Sequence, residues 1–267
     1  MVTSTAKQFV SARHEGRALS DFPGTLPGSL EDAYAVQDEV LRLTTRRLGG
    51  WKVAMIPPAF RDRYRAERLV GPVFTDVIQT VADGGTVEAL VFEGGFAAVE
   101  AEFVVHVTGE PPSDPLDWLG DVSAFATLHV GSEIASSPLA TINQLGPGAV
   151  ISDHGNNAGA IIGPQIAADL QRDWDRLPSV ALVEGARVGE GSAASVPGGP
   201  YAAVAFLARQ LAGRGRHLAK GDIILTGMTT GVHDVLSGQS ARLEFAGVGG
   251  FDVRFAACQP KSRAAAS

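Results

Sequence analysis

The chain has 267 residues, of which 45% are apolar and 19% charged, with no apolar run of the ~18 residues a membrane-spanning helix needs, so it reads as a globular protein of one large domain or a small one plus a medium one. Its net charge of −7 excludes nucleic acid as a partner, because phosphates would be repelled. The single Cys258 cannot form an internal disulfide, no Cys or His pair has zinc spacing, and Met1–Lys7 lacks the apolar core of a secretory signal; no thiolate metal site is expected, and the cytosol is.

Residues before Ser29 contain Pro23, Pro27 and several glycines and read as a helix followed by a loop. Ser29-Leu-Glu-Asp32 has the form of a capping box, with Ser29 as N-cap and Asp32 reaching back. The helix behind it carries Ala33, Val36, Val40 and Leu43 on one stripe and is predicted to end near Gly49-Gly50. Trp51–Ile56 reads as a strand closed by Pro57-Pro58. From Pro72 the texture becomes short strands between Gly and Pro turns, a mainly β body.

Within that body, Phe96–Val107 is an apolar run interrupted by Glu100 and Glu102. On a strand these two share one face, and Val99, Ala101, Phe103 and Val105 share the other. Two like charges on a buried face are costly unless a hard divalent cation joins them. An edge strand with its polar face in water explains the pattern equally well. An apolar stretch around Ala124–Ile134 follows, then a polar turn with His154, Asn156 and Asn157, then a strand at Gly159–Gly163. Ser179–Val188 reads as a hairpin. Gly189-Glu-Gly-Ser-Ala-Ala194 loosely matches a dinucleotide fingerprint, but no helix opens on its glycines, so it is set aside. Pro200 opens a helix with Val204, Leu207 and Leu211 inward that stops at Gly213. Strands at Ile223–Thr226, Ala241–Phe245 and Phe251–Phe255 finish the body, and Lys261–Ser267 reads as a disordered tail.

If Glu100 and Glu102 hold a cation, a third oxygen ligand is needed, and Glu133 stands at the end of an apolar stretch where a charge has little reason to sit. Taken alone it reads rather as an ordinary loop glutamate. Lys52, between Trp51 and Val53, either extends to solvent or stabilises negative charge beside a metal. His154 is the one histidine suited to proton transfer, although turn residues of this kind also satisfy backbone bonds. His106 reads as a packing or rim histidine.

Several segments in co-linear order resemble the 2-oxopent-4-enoate hydratase and 4-oxalocrotonate decarboxylase group of the fumarylacetoacetate hydrolase superfamily. Leu30–Asp38 is similar to its "LEDAYAIQD", Gly50–Met55 to "GWKVGLT", Val99–Glu102 to "E-x-E" and Ser132–Ser137 to "L-E-I-x-D-S". Ser152–Gly159 is similar to "ADNAS-G", Gly198–Ala208 to "GGHPAEAVAWLAN" and Leu218–Gly231 to "L-x-x-GD-x-I-LTGS-x-TG". The resemblance runs from about Ala12 to Phe255.

It implies an α+β fold, the mixed β-roll of that superfamily, with a small N-terminal helical region at 1–70, the roll at 71–258 and a tail at 259–267. It implies Mg²⁺ or Mn²⁺ held by Glu100, Glu102 and Glu133, with Lys52 at the substrate; the proton-transfer role of His154 comes from its own chemistry and not from the resemblance. Ser136, Asn157 and Thr230 fall at substrate-binding positions. Three departures stand out: Ser136 replaces the group's Asp, Met228 its "LTGS" serine, and His154 its Asp or Asn. The activity implied is hydration of a 2-hydroxy-2,4-dienoate in aromatic catabolism. Decarboxylation of a 2-oxo diacid and hydrolysis of an acylpyruvate are the alternatives; the last needs a His–acid pair such as His14-Glu15. A small oxo acid is the expected partner, with neither nucleic acid nor membrane, and a homo-oligomer is expected.

Overall fold

In the computed structural model, which describes residues 2–112, 114, 122–167, 170 and 175–259, the chain begins with two helices, α1 (Val2–Glu15) and α2 (Leu30–Leu43). Ser29 caps α2 by accepting the Asp32 N–H at 3.1 Å. The Asp32 carboxylate accepts from the Ser29 hydroxyl at 2.8 Å, so the acid returns to the cap's side chain and not to its backbone. Ala33, Val36 and Val40 are buried as predicted, joined by Tyr34 and Gln37. The helix ends at Leu43 because Thr44 turns extended, and Gly49 and Gly50 belong to the following strand.

Among the described residues, thirteen strands form two sheets. The larger contains β1 (Leu48–Met55), β2 (Arg68–Phe74), β3 (Ile78–Thr80), β5 (Phe96–Val107), β6 (Ala126–Ser137), β7 (Asn157–Gln165) and β10 (Ile223–Met228), in the order β2-β1-β10-β5-β6-β7-β3, with β11 (His233–Asp234) paired to β5. The smaller runs β4-β13-β12-β8-β9, built from β4 (Thr86–Val91), β8 (Pro178–Val183), β9 (Ala186–Ser192), β12 (Ser240–Phe245) and β13 (Gly249–Ala257). The division placed at residue 70 falls inside β2, and β1 before it is already part of the larger sheet. Gly189 and Gly191 lie in β9, a single 3-10 turn follows at Ala193–Ser195, and the next α-helix, α6 (Gly199–Ala212), opens well after them. All of the predicted tail but Gln259 lies outside the described residues.

The larger sheet curls. Val73 of β2, Val104 of β5, Ala160 and Ile162 of β7 and Ile223 and Leu225 of β10 share one apolar cluster, which distant strands can do only if twist rolls the sheet on itself. Its other face carries Val99, Ala101, Phe103 and Val105 into the main core, where Phe103 meets Phe245 of the smaller sheet edge-on at 5.8 Å. The inward stripe of α6, Val204, Leu207 and Leu211, packs into the same core. α2 covers the terminal strand: Tyr34 Oη accepts the Val70 N–H and Gln37 Nε2 donates to the Val70 carbonyl, each at 3.0 Å. The fold is the α+β mixed roll with an N-terminal helical part.

Candidate metal centre

β5 lies between β10 and β6, so its polar face is not at an edge. In the register, Glu100 stands opposite Glu133 of β6 and Glu102 opposite Gly131. All three glutamates are buried, with 7%, 1% and 0% exposure for Glu100, Glu102 and Glu133, which removes the solvated-strand reading of the first pair and the loop reading of the third. One oxygen from each lies within 4.8 Å of the others. Lys52 of β1 brings its Nζ to 3.1 Å from Glu133 Oε2.

Two strand irregularities orient the acids. Between Leu225 and Met228 the pairing of β10 with β5 shifts by a residue, and the freed Gly227 N–H donates to Glu102 Oε2 at 3.0 Å. Between Ile134 and Ala135 the pairing of β6 with β7 shifts likewise, so Asn157 comes opposite Ala135 on the face of Glu133. Its Nδ2 donates to Glu133 Oε1 at 3.0 Å. Glu102 and Glu133 therefore each have one oxygen tied; Glu102 Oε1 is buried without a hydrogen-bond partner, and Glu133 Oε2 has only the Lys52 ammonium beside it. Unsatisfied buried acceptors are costly and native proteins seldom leave them so.

The electrostatics agree with a cation site. Burial, and then the charge of Glu133, pushes Glu100 up to about 8. Burial, Glu133 and Glu100 push Glu102 well above the carboxylate range. Burial opposes the Lys52 charge, but the fields of Glu133, Glu100 and Glu102 together outweigh it and raise its pKa. Three carboxylates against one ammonium leave a formal deficit of two positive charges, which a divalent ion fills. Oxygen-only ligands suit Mg²⁺ or Mn²⁺, whose bonds of about 2.1 Å set ligand oxygens about 3 to 4 Å apart, so the carboxylates need close up only slightly. The residues fit the ion.

The turn after α5 (Pro147–Ser152) is pressed onto this group. His154, Gly155 and Asn156 all have positive φ, 57°, 69° and 66°. Non-glycine residues enter that region at a cost of roughly 1–2 kcal/mol each. A Cβ on Gly155 would lie 2.8 Å from Gly71 Cα and 3.1 Å from Lys52 Cδ, and one on Gly71 would lie 2.4 Å from the His154 carbonyl. Only this glycine pair lets the turn rest on β2 and the lysine stem. Arg13 of α1 anchors it, with Nη2 at 2.9 Å from buried Asp153 Oδ2 and Nη1 on the Asn157 carbonyl at 2.9 Å.

A cavity of about 320 Å³ opens beside Lys52 and Glu100, with Val53, Met55, Leu69, Val150, Val196 and Met228 among its apolar walls. Of the predicted residues, the structure thus gathers Lys52, Glu100, Glu102, Glu133 and Asn157. Asn157 holds Glu133 and is not part of the cavity wall. His154 is elsewhere: its ring packs edge-on against Phe74 at 5.1 Å, both nitrogens lack partners, and burial followed by the charges of Arg13 and Arg46 pulls its pKa well down. The Ser136 hydroxyl donates to Phe96 O and accepts the Phe92 N–H. Thr230 pairs with His233 at 3.0 Å. Neither lines the cavity. His106 lies 6.4 Å from the His129 ring on the same strand pair, a packing position. Glu15 accepts from Ser11 and Arg17, away from the cavity. The sequence reading missed Arg68 and Asn143 in the wall; Asn156, set in the polar turn with a site role or a backbone role open to it, also lines the wall, and its Oδ1 is a further buried acceptor without a partner. A signal for Asn156 existed in its polar turn, whereas Arg68 had none beyond its charge.

No family model matches the chain. The 4-oxalocrotonate decarboxylase of Pseudomonas putida is 28% identical over 243 residues, covering 90% of this chain and 89% of that protein. Its counterpart from Pseudomonas sp. strain CF600 is likewise 28% identical over 243 residues. Among solved structures, 4-oxalocrotonate decarboxylase from Pseudomonas putida G7, complexed with magnesium and adipate, superposes with a TM-score of 0.76 at 25% identity, over 95% of this chain and 97% of that one. Fumarylpyruvate hydrolase from Pseudomonas aeruginosa, in complex with Mn²⁺ and pyruvate, has a TM-score of 0.56 at 18% identity over 78% of this chain and 89% of its own, a likeness of fold alone. These likenesses support a place for the chain in the fumarylacetoacetate hydrolase superfamily, beside the 4-oxalocrotonate decarboxylases.

Proposed function

We propose that the protein is a divalent-metal-dependent decarboxylase of an unsaturated 2-oxo diacid, of the 4-oxalocrotonate type, acting in the breakdown of aromatic compounds. The observation that carries the reading is the convergence of three buried carboxylates, Glu100, Glu102 with its unpartnered Oε1, and Glu133 paired to Lys52, at a largely apolar cavity. Mg²⁺ or Mn²⁺ is the ion proposed, with Glu100, Glu102 and Glu133 as its ligands; when bound it supplies the electrophile that draws charge onto the 2-oxygen of an α-oxo acid.

The chain's own residues supply the rest. Gly227 N–H and Asn157 Nδ2 hold Glu102 and Glu133 in their orientations. Lys52 contributes a fixed positive charge where negative charge develops. The apolar walls exclude water, which strengthens these interactions. In the reaction the bond to the far carboxylate breaks, its electron pair moves along the conjugated chain to the 2-oxygen, and neutral CO₂ leaves. This needs an electron sink and no activated water. Hydration of a 2-hydroxy-2,4-dienoate does need a placed water and a proton donor, and His154 does not line the cavity. Both curated relatives are named decarboxylases, which adds to the support for CO₂ loss. Acylpyruvate hydrolysis has less, since His14 and Glu15 are also absent from that wall.

The resemblance further supports a homo-oligomer in the cytoplasm, with the N-terminal helical region serving the roll; light scattering reads the first point. The activity test is to incubate the protein with 4-oxalocrotonate and with 2-hydroxydienoates, in Mg²⁺, Mn²⁺ or EDTA, and follow product mass and ultraviolet absorbance. Metal-dependent loss of CO₂ from the diacid is the expected result. Gain of water by the dienoate without CO₂ release, or turnover unaffected by EDTA, would overturn the reading.

A further inference from the structure

Three of the residues lining the cavity carry a charge: Glu100, Lys52 and Arg68. The first two belong to the metal centre. Arg68 does not. Its Nη1 donates to the Ala202 carbonyl at 3.2 Å, its Nη2 donates to the carbonyl of Pro197, itself a wall residue, and its plane lies 5.7 Å from the Phe206 ring. Among the described residues no carboxylate forms an ion pair with it, and Glu67 acts on it only through its field. A half-buried guanidinium without a counter-charge, on the wall of an otherwise apolar cavity, is placed to receive an anion.

The register sets the distance. β1 and β2 pair Lys52 with Gly71 and Met55 with Arg68, so the two positions stand three rungs apart, about 10 Å along the strands; the odd count starts their side chains on opposite faces, and it is the cavity wall, lined by both, that brings them to one space. A six-carbon diacid spans about 6 Å between its terminal carbons. With its α-oxo acid end at Lys52 and the glutamates, its far carboxylate falls within the reach of an arginine side chain. We infer that Arg68 is the specificity-determining residue of this cavity, taking the far carboxylate of a 2-oxo diacid and so selecting diacids over monoacids. The inference rests on the reading of the inner end as an α-oxo acid site.

The strength of the grip follows from the chemistry. The far carboxylate loses its charge as CO₂ leaves, so holding it tightly would stabilise the ground state and slow the reaction. Arg68 shares its donors with two carbonyls, which leaves a moderate partner. Its contribution therefore belongs in KM and not in kcat.

The test uses the Mn²⁺-loaded protein and two saturated probes, 2-oxoadipate and 2-oxohexanoate, which share the inner end and differ in the far one. By titration calorimetry the wild type binds 2-oxoadipate at least tenfold more tightly. Arg68→Gln abolishes that preference and leaves 2-oxohexanoate within about twofold, while Arg68→Lys keeps part of it. A preference unchanged in Arg68→Gln overturns the inference and leaves the metal-centre reading standing. Equal weakening of both probes overturns it too, by showing that the side chain only holds the 195–202 segment. Failure of both probes to bind the wild type would fell the α-oxo acid reading, and this one with it.

Discussion

Glu102 offers the sharpest test at the scale of one residue. Its carboxylate is forced into a buried, like-charged neighbourhood, and only a cation justifies its presence. Glu102→Gln keeps an acceptor for Gly227 and removes the repulsion. The metal-free variant should be at least as stable as metal-free wild type, yet lose most of the stabilisation that Mn²⁺ confers, as read by thermal melting with and without EDTA. His154 gives a second test. It is flanked by Arg13, which pairs with Asp153, and by Arg46, and packs on Phe74. Its folded pKa lies well below the ordinary 6.5, so below about pH 6.5 the unfolded chain binds the proton and the native one does not. The stability tied to this ring is present above that pH and lost as pH falls, by about 1.4 kcal/mol per unit. His154→Phe has no such loss; urea unfolding between pH 7 and 5 should show wild type falling relative to it with that slope. The two cases mark what single residues disclose in a sequence. Alternation on β5 exposed Glu100 and Glu102 because period two is a local property. His154 sits in a turn of positive φ, where nothing in the neighbouring letters says which way a ring points.

Elements show the same division. The strands with apolar alternation and the capped helices were legible, while the end of α2 was not, because Thr44 turns extended ahead of the glycines that resemble a stop. The two pairing shifts that aim Gly227 and Asn157 were hidden as well, being properties of two strands and not of one. So was Arg13, which stabilises a turn 140 residues away. That ion pair is almost wholly buried, with side-chain exposures of 7% and 0%. Breaking such a pair from one side costs roughly 3–5 kcal/mol, because the remaining charge is stranded. Arg13→Met should therefore lower the unfolding free energy by about 3 kcal/mol. Since the same side chain holds the Asn157 carbonyl, the variant should also bind Mn²⁺ less tightly, which calorimetry would show.

For the whole molecule the rolled sheet matters most. The acids come from two adjacent central strands and the ammonium from a third beyond β10, so an ion at their meeting point ties together the middle of the roll. A ligand that binds only the native state stabilises it by about 2.7 kcal/mol at a hundredfold excess over Kd. In a chain of this size that is a rise in Tm of roughly 5–10 °C. Scanning calorimetry in EDTA and then in excess Mg²⁺ or Mn²⁺ should show it, and a Tm indifferent to the ion would contradict a cation at the glutamates. One consequence remains of the way Gly227 and Asn157 each occupy one oxygen of their glutamate. Neither acid can swing round to grasp an ion with both arms unless it surrenders that partner. A sphere so constrained favours small six-coordinate ions and penalises larger ones that seek seven or eight oxygens, so Ca²⁺ should raise the melting temperature less than Mn²⁺ at equal concentration.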